Sequence, residues 1–159
     1  MRFQNVKADE LEGPIKLPGF ADWTKGLENN SNITSVLLSS LPGTGKGAAV
    51  GSLANAIHYD IVRCRLSQLV EYPDPAAELK ALLEGTEHMH RTVVWLDGLD
   101  RFISKLARGA EEAQQLIGSW LQSEHDALKK NAVILVATAR DLAGISPELA
   151  GAFDRSFAA

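Results

Sequence analysis

Residues 40–47 read Ser40-Leu41-Pro42-Gly43-Thr44-Gly45-Lys46-Gly47, between the apolar run Val36-Leu37-Leu38 and a helix-compatible stretch from Ala48 to Ile57. Strand, glycine-rich turn and helix in this order make a cradle for phosphate. Gly43 and Gly45 permit backbone angles closed to other residues. Successive N–H groups can then surround phosphate oxygens. The helix adds its positive N-terminus, and Lys46 adds a full positive charge. Pro42, Thr44, Gly47 and Ala48 complete the expected contact set. The pattern G-x-x-x-x-G-K-[ST] asks for Gly first and Ser or Thr last. Here Ser40 stands first and Gly47 last. The cradle is kept, and the hydroxyl that would hold Mg²⁺ is missing. The competing reading is a plain tight turn; Pro-Gly-Thr-Gly-Lys directly after an apolar strand argues against it.

Outward from the loop, apolar strands and amphipathic helices alternate. Strands are expected at about 34–39, 60–64, 92–96 (ending at Asp97) and 132–138, with a fifth beginning at 156–159. Val50, Leu53, Ala54 and Ile57 have helical spacing. Asp74-Pro75 reads as a cap and first-turn proline, before the stripe Leu79, Leu82, Leu83. Leu99, Phe102, Ile103 and Leu106 suggest a short helix. Ala113, Leu116, Ile117, Trp120, Leu121 and Leu128 suggest one longer helix, and Ser146-Pro147-Glu148 starts a last short one. Residues 1–32 read as irregular, with a short helix at Phe20 to Leu27 and a loop at Asn29-Asn30-Ser31-Asn32. The prediction is an α/β fold, a three-layer sandwich around a mostly parallel five-stranded sheet. Ligands in such sheets bind beyond the carboxyl ends of strands. The glycine loop and Asp97 both lie there, so both should face one site.

A chain of 159 residues suits one domain. It divides into an N-terminal segment, 1–32, and a nucleotide-binding unit, 33–159. With 45% hydrophobic and 23% charged residues and a net charge of -4, the chain offers no general nucleic-acid or anionic-membrane surface. Its single cysteine, Cys64, allows no intrachain disulfide, which fits a reducing, cytoplasmic compartment. The first ten residues are polar, and no apolar run approaches the roughly 20 residues of a membrane span.

Chemistry beyond the loop is expected at three further places. Asp97 ends a buried strand beside the loop, where an acid usually organises Mg²⁺ and its waters. The next position, where an acid often orients water, is Gly98. Asp100 could be recruited as a base, but reads more simply as a solvated or capping acid. Ala137-Thr138-Ala139-Arg140 ends another strand; a polar side chain there could position water, and Ala139 cannot. Arg155 could stabilise transferring-phosphoryl charge in a neighbour's site, or serve only as an ion-pair partner. His88 and His90 lack a third spaced ligand and read as a solvated connection. Arg63 and Arg65 suggest a polar sheet edge or partner contact; Trp95 and Cys64 read as core.

In this order the motifs resemble the AAA ATPases over roughly residues 14–157. Ser40 to Gly47 is similar to Walker A, Leu96-Asp97-Gly98-Leu99-Asp100 to Walker B, and Ala137 to Arg140 to sensor 1. Ser146-Pro147-Glu148-Leu149 to Arg155 resembles the family's arginine-finger segment. Leu17-Pro18-Gly19-Phe20 resembles the segment that borders adenine, so Leu17 and Gly19 join the expected nucleotide contacts. The resemblance implies a P-loop fold of the AAA large-subdomain type and binding of ATP or ADP with Mg²⁺. It also implies assembly with like or unlike AAA subunits. It implies a metal-ligating hydroxyl at Gly47, a catalytic glutamate at Gly98, a sensor asparagine at Ala139 and a second finger at Ala152. All four are absent here. The pore-loop stretch, Glu71-Tyr72-Pro73-Asp74, is shortened. The sequence ends where a helical lid would follow, so the expectation is a missing lid or an excised domain, and no stable hexamer from this chain alone.

The expected function is therefore an ATP-binding AAA domain that is weak or inactive in hydrolysis and serves as a structural or regulatory subunit. Asp97 and Arg155 are its remaining catalytic candidates, and Asp97 is its one weak Mg²⁺ ligand. Two alternatives stand beside it: a working ATPase that uses substitutes such as Asp100 and Arg140, and an interaction scaffold that leaves the site empty.

Overall fold

The computed structural model describes residues 3–27, 32–106 and 108–159. The expected loop at 29–32 lies, apart from Asn32, outside them. The strands are β1 (Gln4–Val6), β2 (Ser35–Ser39), β3 (Asp60–Arg65), β4 (Thr92–Asp97), β5 (Val133–Ala139) and β6 (Arg155–Ala158). They form one sheet in the order β1-β3-β4-β5-β2-β6. All pairs are parallel except β1 with β3, which is antiparallel.

Among the described residues the sheet therefore has six strands, not five. The extra strand lies in the segment expected to be irregular. Three residues are too few to display a period-two pattern. Gln4–Val6 is a strand because Arg63, Val62 and Ile61 lie beside it, not because of its own composition.

The helices are α1 (Phe20–Lys25), α2 (Lys46–Ile57), α3 (Pro75–Gly85), α4 (Leu99–Lys105), α5 (Ala110–Ser123), α6 (His125–Asn131) and α7 (Pro147–Ala152). Side chains alternate across each strand, and this sorts the core into two layers. Val36, Leu38, Val93, Trp95, Ile134 and Val136 pack with α2 and with Phe20 of α1. Leu37, Val94, Leu96, Leu135 and Ala137 pack with α3, α4 and α5 through Leu79, Leu82, Phe102 and Ile117. All seven residues of β5 are buried, as expected of a central strand covered on both faces. The α/β three-layer expectation holds.

The long helix expected through Leu128 is two helices, broken at Glu124. Its backbone leaves the helical basin at φ -101°, ψ 7°. A tertiary network lies beside the break. His125 Nδ1 is 2.9 Å from Thr34 Oγ1. Asp154 accepts from the Thr34 N–H at 2.8 Å, and its own N–H donates to Ser35 Oγ at 2.9 Å. The start of β2, the start of β6 and α6 are thus tied together, which no helical periodicity could announce.

The caps at Asp74 and Ser146 form as expected: each side chain accepts from a first-turn N–H, Ala77 at 3.2 Å and Leu149 at 3.1 Å. Asp74→Ala should lower stability by about 1 kcal/mol, read as a shift of the urea midpoint at constant slope. An unchanged midpoint would mean the cap contributes nothing.

Candidate nucleotide site

The glycine loop leaves β2 at Ser40, whose N–H still bonds Ala139 O at 3.1 Å. Gly43 and Gly45 are both left-handed, at φ 84° and 90°, and Gly45 forms the N-terminal cap of α2. The departure from glycine at Ser40 is accommodated: its buried hydroxyl bonds Thr44 Oγ1, which also donates to Leu41 O at 2.8 Å. The loop is thereby stapled across its own width.

Lys46 Nζ donates to Ser40 O, and to Leu41 O at 3.3 Å. Its pKa lies below the ordinary lysine value, first because burial strips water from the ammonium. Asp100 opposes that shift, Arg140 reinforces it and Asp97 opposes it.

The N-terminal segment crosses the loop. Lys16 N donates to Thr44 O at 2.7 Å. A Cβ on Gly45 would stand 2.1 Å from Pro14 O, so no other residue fits this crossing.

At the ends of β4 and β5 a second group of side chains faces the loop. Both oxygens of the Asp97 carboxylate accept hydrogen bonds. Oδ2 accepts from Arg63 Nε at 3.0 Å and from Arg63 Nη2. Oδ1 accepts from Thr138 Oγ1 at 3.2 Å, and that hydroxyl accepts from Trp95 Nε1 at 3.0 Å. The Arg63 guanidinium lies over the Trp95 ring, 4.3 Å from its centroid. Asp100 Oδ2 accepts from Arg140 N at 3.3 Å, and its Oδ1 is buried with no partner among the described residues.

One cavity of about 330 Å³ joins these groups. Its walls include Gly43, Lys46, Asp97, Asp100 and Arg140, and also Arg63 and Trp95. The glycine loop and Asp97 do face one site.

A family model described as "ATPase family associated with various cellular activities (AAA)" matches residues 36–159. The chain belongs to the AAA family. It is also similar to the "Uncharacterized AAA domain-containing protein ycf46" of Guillardia theta, at 25% identity over 131 residues. That alignment covers 77% of this chain but 25% of the relative, so the chain spans about a quarter of that relative's length.

Among the AAA-type positions expected from sequence, Pro42, Gly43, Gly45, Lys46, Gly47 and Asp97 meet at the cavity. Five others do not. Thr44 is turned into the loop's own hydrogen bonds. Ala48 borders a separate cleft against Gly13 and Ile15. Leu17 is buried in the core beside Phe20, and Gly19 caps α1 at φ 80°. Arg155 opens β6 opposite Val36, at the end of the strand remote from the loop, with its guanidinium over Phe157 and Trp23.

Sequence reasoning placed Arg63 at a polar sheet edge or partner contact and Trp95 in the core. Trp95 is buried, yet both residues also form the cavity wall. The available signal was spacing. Trp95 and Asp97 are two apart on one strand and share a face. Which β3 residue joins them depends on register, here Arg63 beside Trp95.

The AAA pattern implies Mg²⁺ at this place, and the residues present do not fit it. Mg²⁺ demands octahedral oxygen ligands. Both oxygens of Asp97 are committed to protein donors, one of them to a full positive charge. Position 47 carries no side chain, and a Cβ there would lie 3.3 Å from Trp95 Cη2. Among the described residues no group of three or more His, Cys, Asp or Glu could hold a metal ion. No described helix is long and apolar enough to cross a membrane.

Proposed function

We propose that this AAA domain binds adenine nucleotide, hydrolyses it poorly or not at all, and acts as a structural or regulatory subunit in the cytoplasm. One observation carries the reading. The loop and Lys46 open onto the same cavity as Gly98 and Ala139, the two positions where the family pattern expects a catalytic glutamate and a sensor asparagine. The cavity thus supplies backbone amides and positive charge, and nothing at those two positions to orient water. Loss of one such polar group typically costs about 3–4 kcal/mol of transition-state stabilisation. Arg155 is exposed on the edge strand β6 and remote from this cavity. That position supports a role toward a neighbouring AAA subunit, like or unlike.

Titration with a fluorescent ATP analogue, joined to single-turnover hydrolysis, tests the reading. Saturable binding with turnover at background is expected. No binding at millimolar analogue would leave only a scaffold on the same fold.

A second reading, a working ATPase with substituted groups, has one observation in its favour. The buried Asp100 Oδ1 has no partner among the described residues and belongs to a cavity-lining side chain. A hydrolysis rate well above background that Asp100→Asn and Lys46→Ala both abolish would establish that reading over the first.

A further inference from the structure

We propose that the Arg63 guanidinium stands in place of the divalent cation, so that this domain takes its nucleotide as the uncomplexed polyphosphate. This rests on the nucleotide reading above and adds the form in which the ligand is bound.

Three observations converge. First, the acid that would hold the metal holds arginine instead: two Arg63 nitrogens donate to Asp97 Oδ2, and Thr138 takes Oδ1. A divalent cation arriving there would have to displace a charge-assisted pair and sit beside a guanidinium. Second, Arg63 is aimed. The Trp95 ring supports one face of it at 4.3 Å, and the Trp95 indole is itself fixed by its bond to Thr138. Nε and Nη2 are turned to Asp97, while Nη1 has no hydrogen-bond partner among the described residues, on a side chain that lines the cavity with Gly43 and Lys46. A planar guanidinium with open N–H groups is suited to phosphate oxygens.

Third, position 47 lies directly against Trp95. A Cβ at 47 would already stand 3.3 Å from Trp95 Cη2. That contact is tight, so a serine or threonine at 47 would require the indole to shift by a few tenths of an ångström. The indole that crowds position 47 is the one on which Arg63 rests.

The charge balance agrees. Lys46, Arg63, Arg101 and Arg140 line the cavity against Asp97 and Asp100. A cavity with an excess of fixed cations suits a polyphosphate that brings no counter-charge of its own.

The test is titration of the whole chain with fluorescent ATP analogue in EDTA and in excess Mg²⁺, for the wild type, Arg63→Gln and Arg63→Lys. Wild type should bind in EDTA at least as tightly as in Mg²⁺. Arg63→Gln should lose at least about tenfold in EDTA, and Arg63→Lys, which keeps the charge, should recover part of that loss. Wild-type binding that requires Mg²⁺ would overturn the inference and leave the nucleotide reading standing. So would metal-free binding that a folded Arg63→Gln leaves unchanged. Absence of binding in both buffers would refute the nucleotide reading and this inference with it. If Arg63→Gln fails to fold, the wild-type comparison between the two buffers still decides.

Discussion

Gly45→Ala should destabilise the domain by at least about 3 kcal/mol, more than other single changes in the loop. The new Cβ would lie 2.1 Å from Pro14 O and 3.0 Å from Ile15 Cα. Both are backbone atoms, so no rotamer change relieves the contact. The residue would also be held at φ 90°, ψ 30°, in the left-handed region, which costs an L-residue about 1–2 kcal/mol by itself. Relief requires residues 14–16 to lift off the loop, with loss of the bond from Lys16 N to Thr44 O. Gly43→Ala is the internal control. It shares the positive φ, 84°, but its Cβ meets nothing within 4 Å. It should therefore cost only the backbone part. Urea midpoints of the two variants measure the difference, and equal shifts would show that the crossing segment exerts no steric demand.

Lys46→Ala should weaken nucleotide binding by about 10- to 100-fold, the range for removing a charged hydrogen-bonding partner. The same lysine gives the binding a distinctive pH dependence. Burial lowers its pKa, so the folded protein releases this proton at a lower pH than the unfolded chain does. Between the lowered and the ordinary value the unfolded chain holds more protons, and stability rises with pH. Over that same interval the ammonium is being lost, so affinity for phosphate should fall. Two measurements with opposite slopes, a denaturant midpoint and a binding isotherm across alkaline pH, report one group. Both slopes should be reduced in Lys46→Ala by the part that this lysine contributes. If affinity in the wild type stays flat through that interval, Lys46 does not contact the ligand as a cation.

The sheet and the family were legible because their signals are local. Val36 to Leu38, Val93 to Leu96 and Val133 to Val136 are continuous apolar runs, as buried parallel strands require, and the glycine loop sits between one of them and a helix. The AAA resemblance needed only the order of short motifs along the chain. What escaped was set by pairing. Gln4–Val6 becomes a strand through β3. The break at Glu124 accompanies contacts from His125 to a residue 91 positions away. Arg63 enters the site through register: Arg65 lies on the same face of β3, yet it is Arg63 that pairs with Trp95 and reaches Asp97. Gly47, Trp95, Asp97 and Thr138 were each visible as single residues. Their close packing and shared hydrogen bonds existed only once three strand ends and a loop had been brought together.

The N-terminal crossing has a consequence for how this chain can change over generations. Gly45 lies under the Pro14 and Ile15 backbone, and a Cβ on Gly51 would meet the Leu11 side chain at 3.2 Å and Ala8 O at 3.3 Å. These glycines are a bed for residues 8–15 as well as part of the glycine loop and its helix. The steric demand that this segment places on them does not depend on any ligand. A relative that bound no nucleotide would be free to replace Lys46 long before it could replace Gly45. The order in which this motif decays among relatives would then record which demand was lifted first.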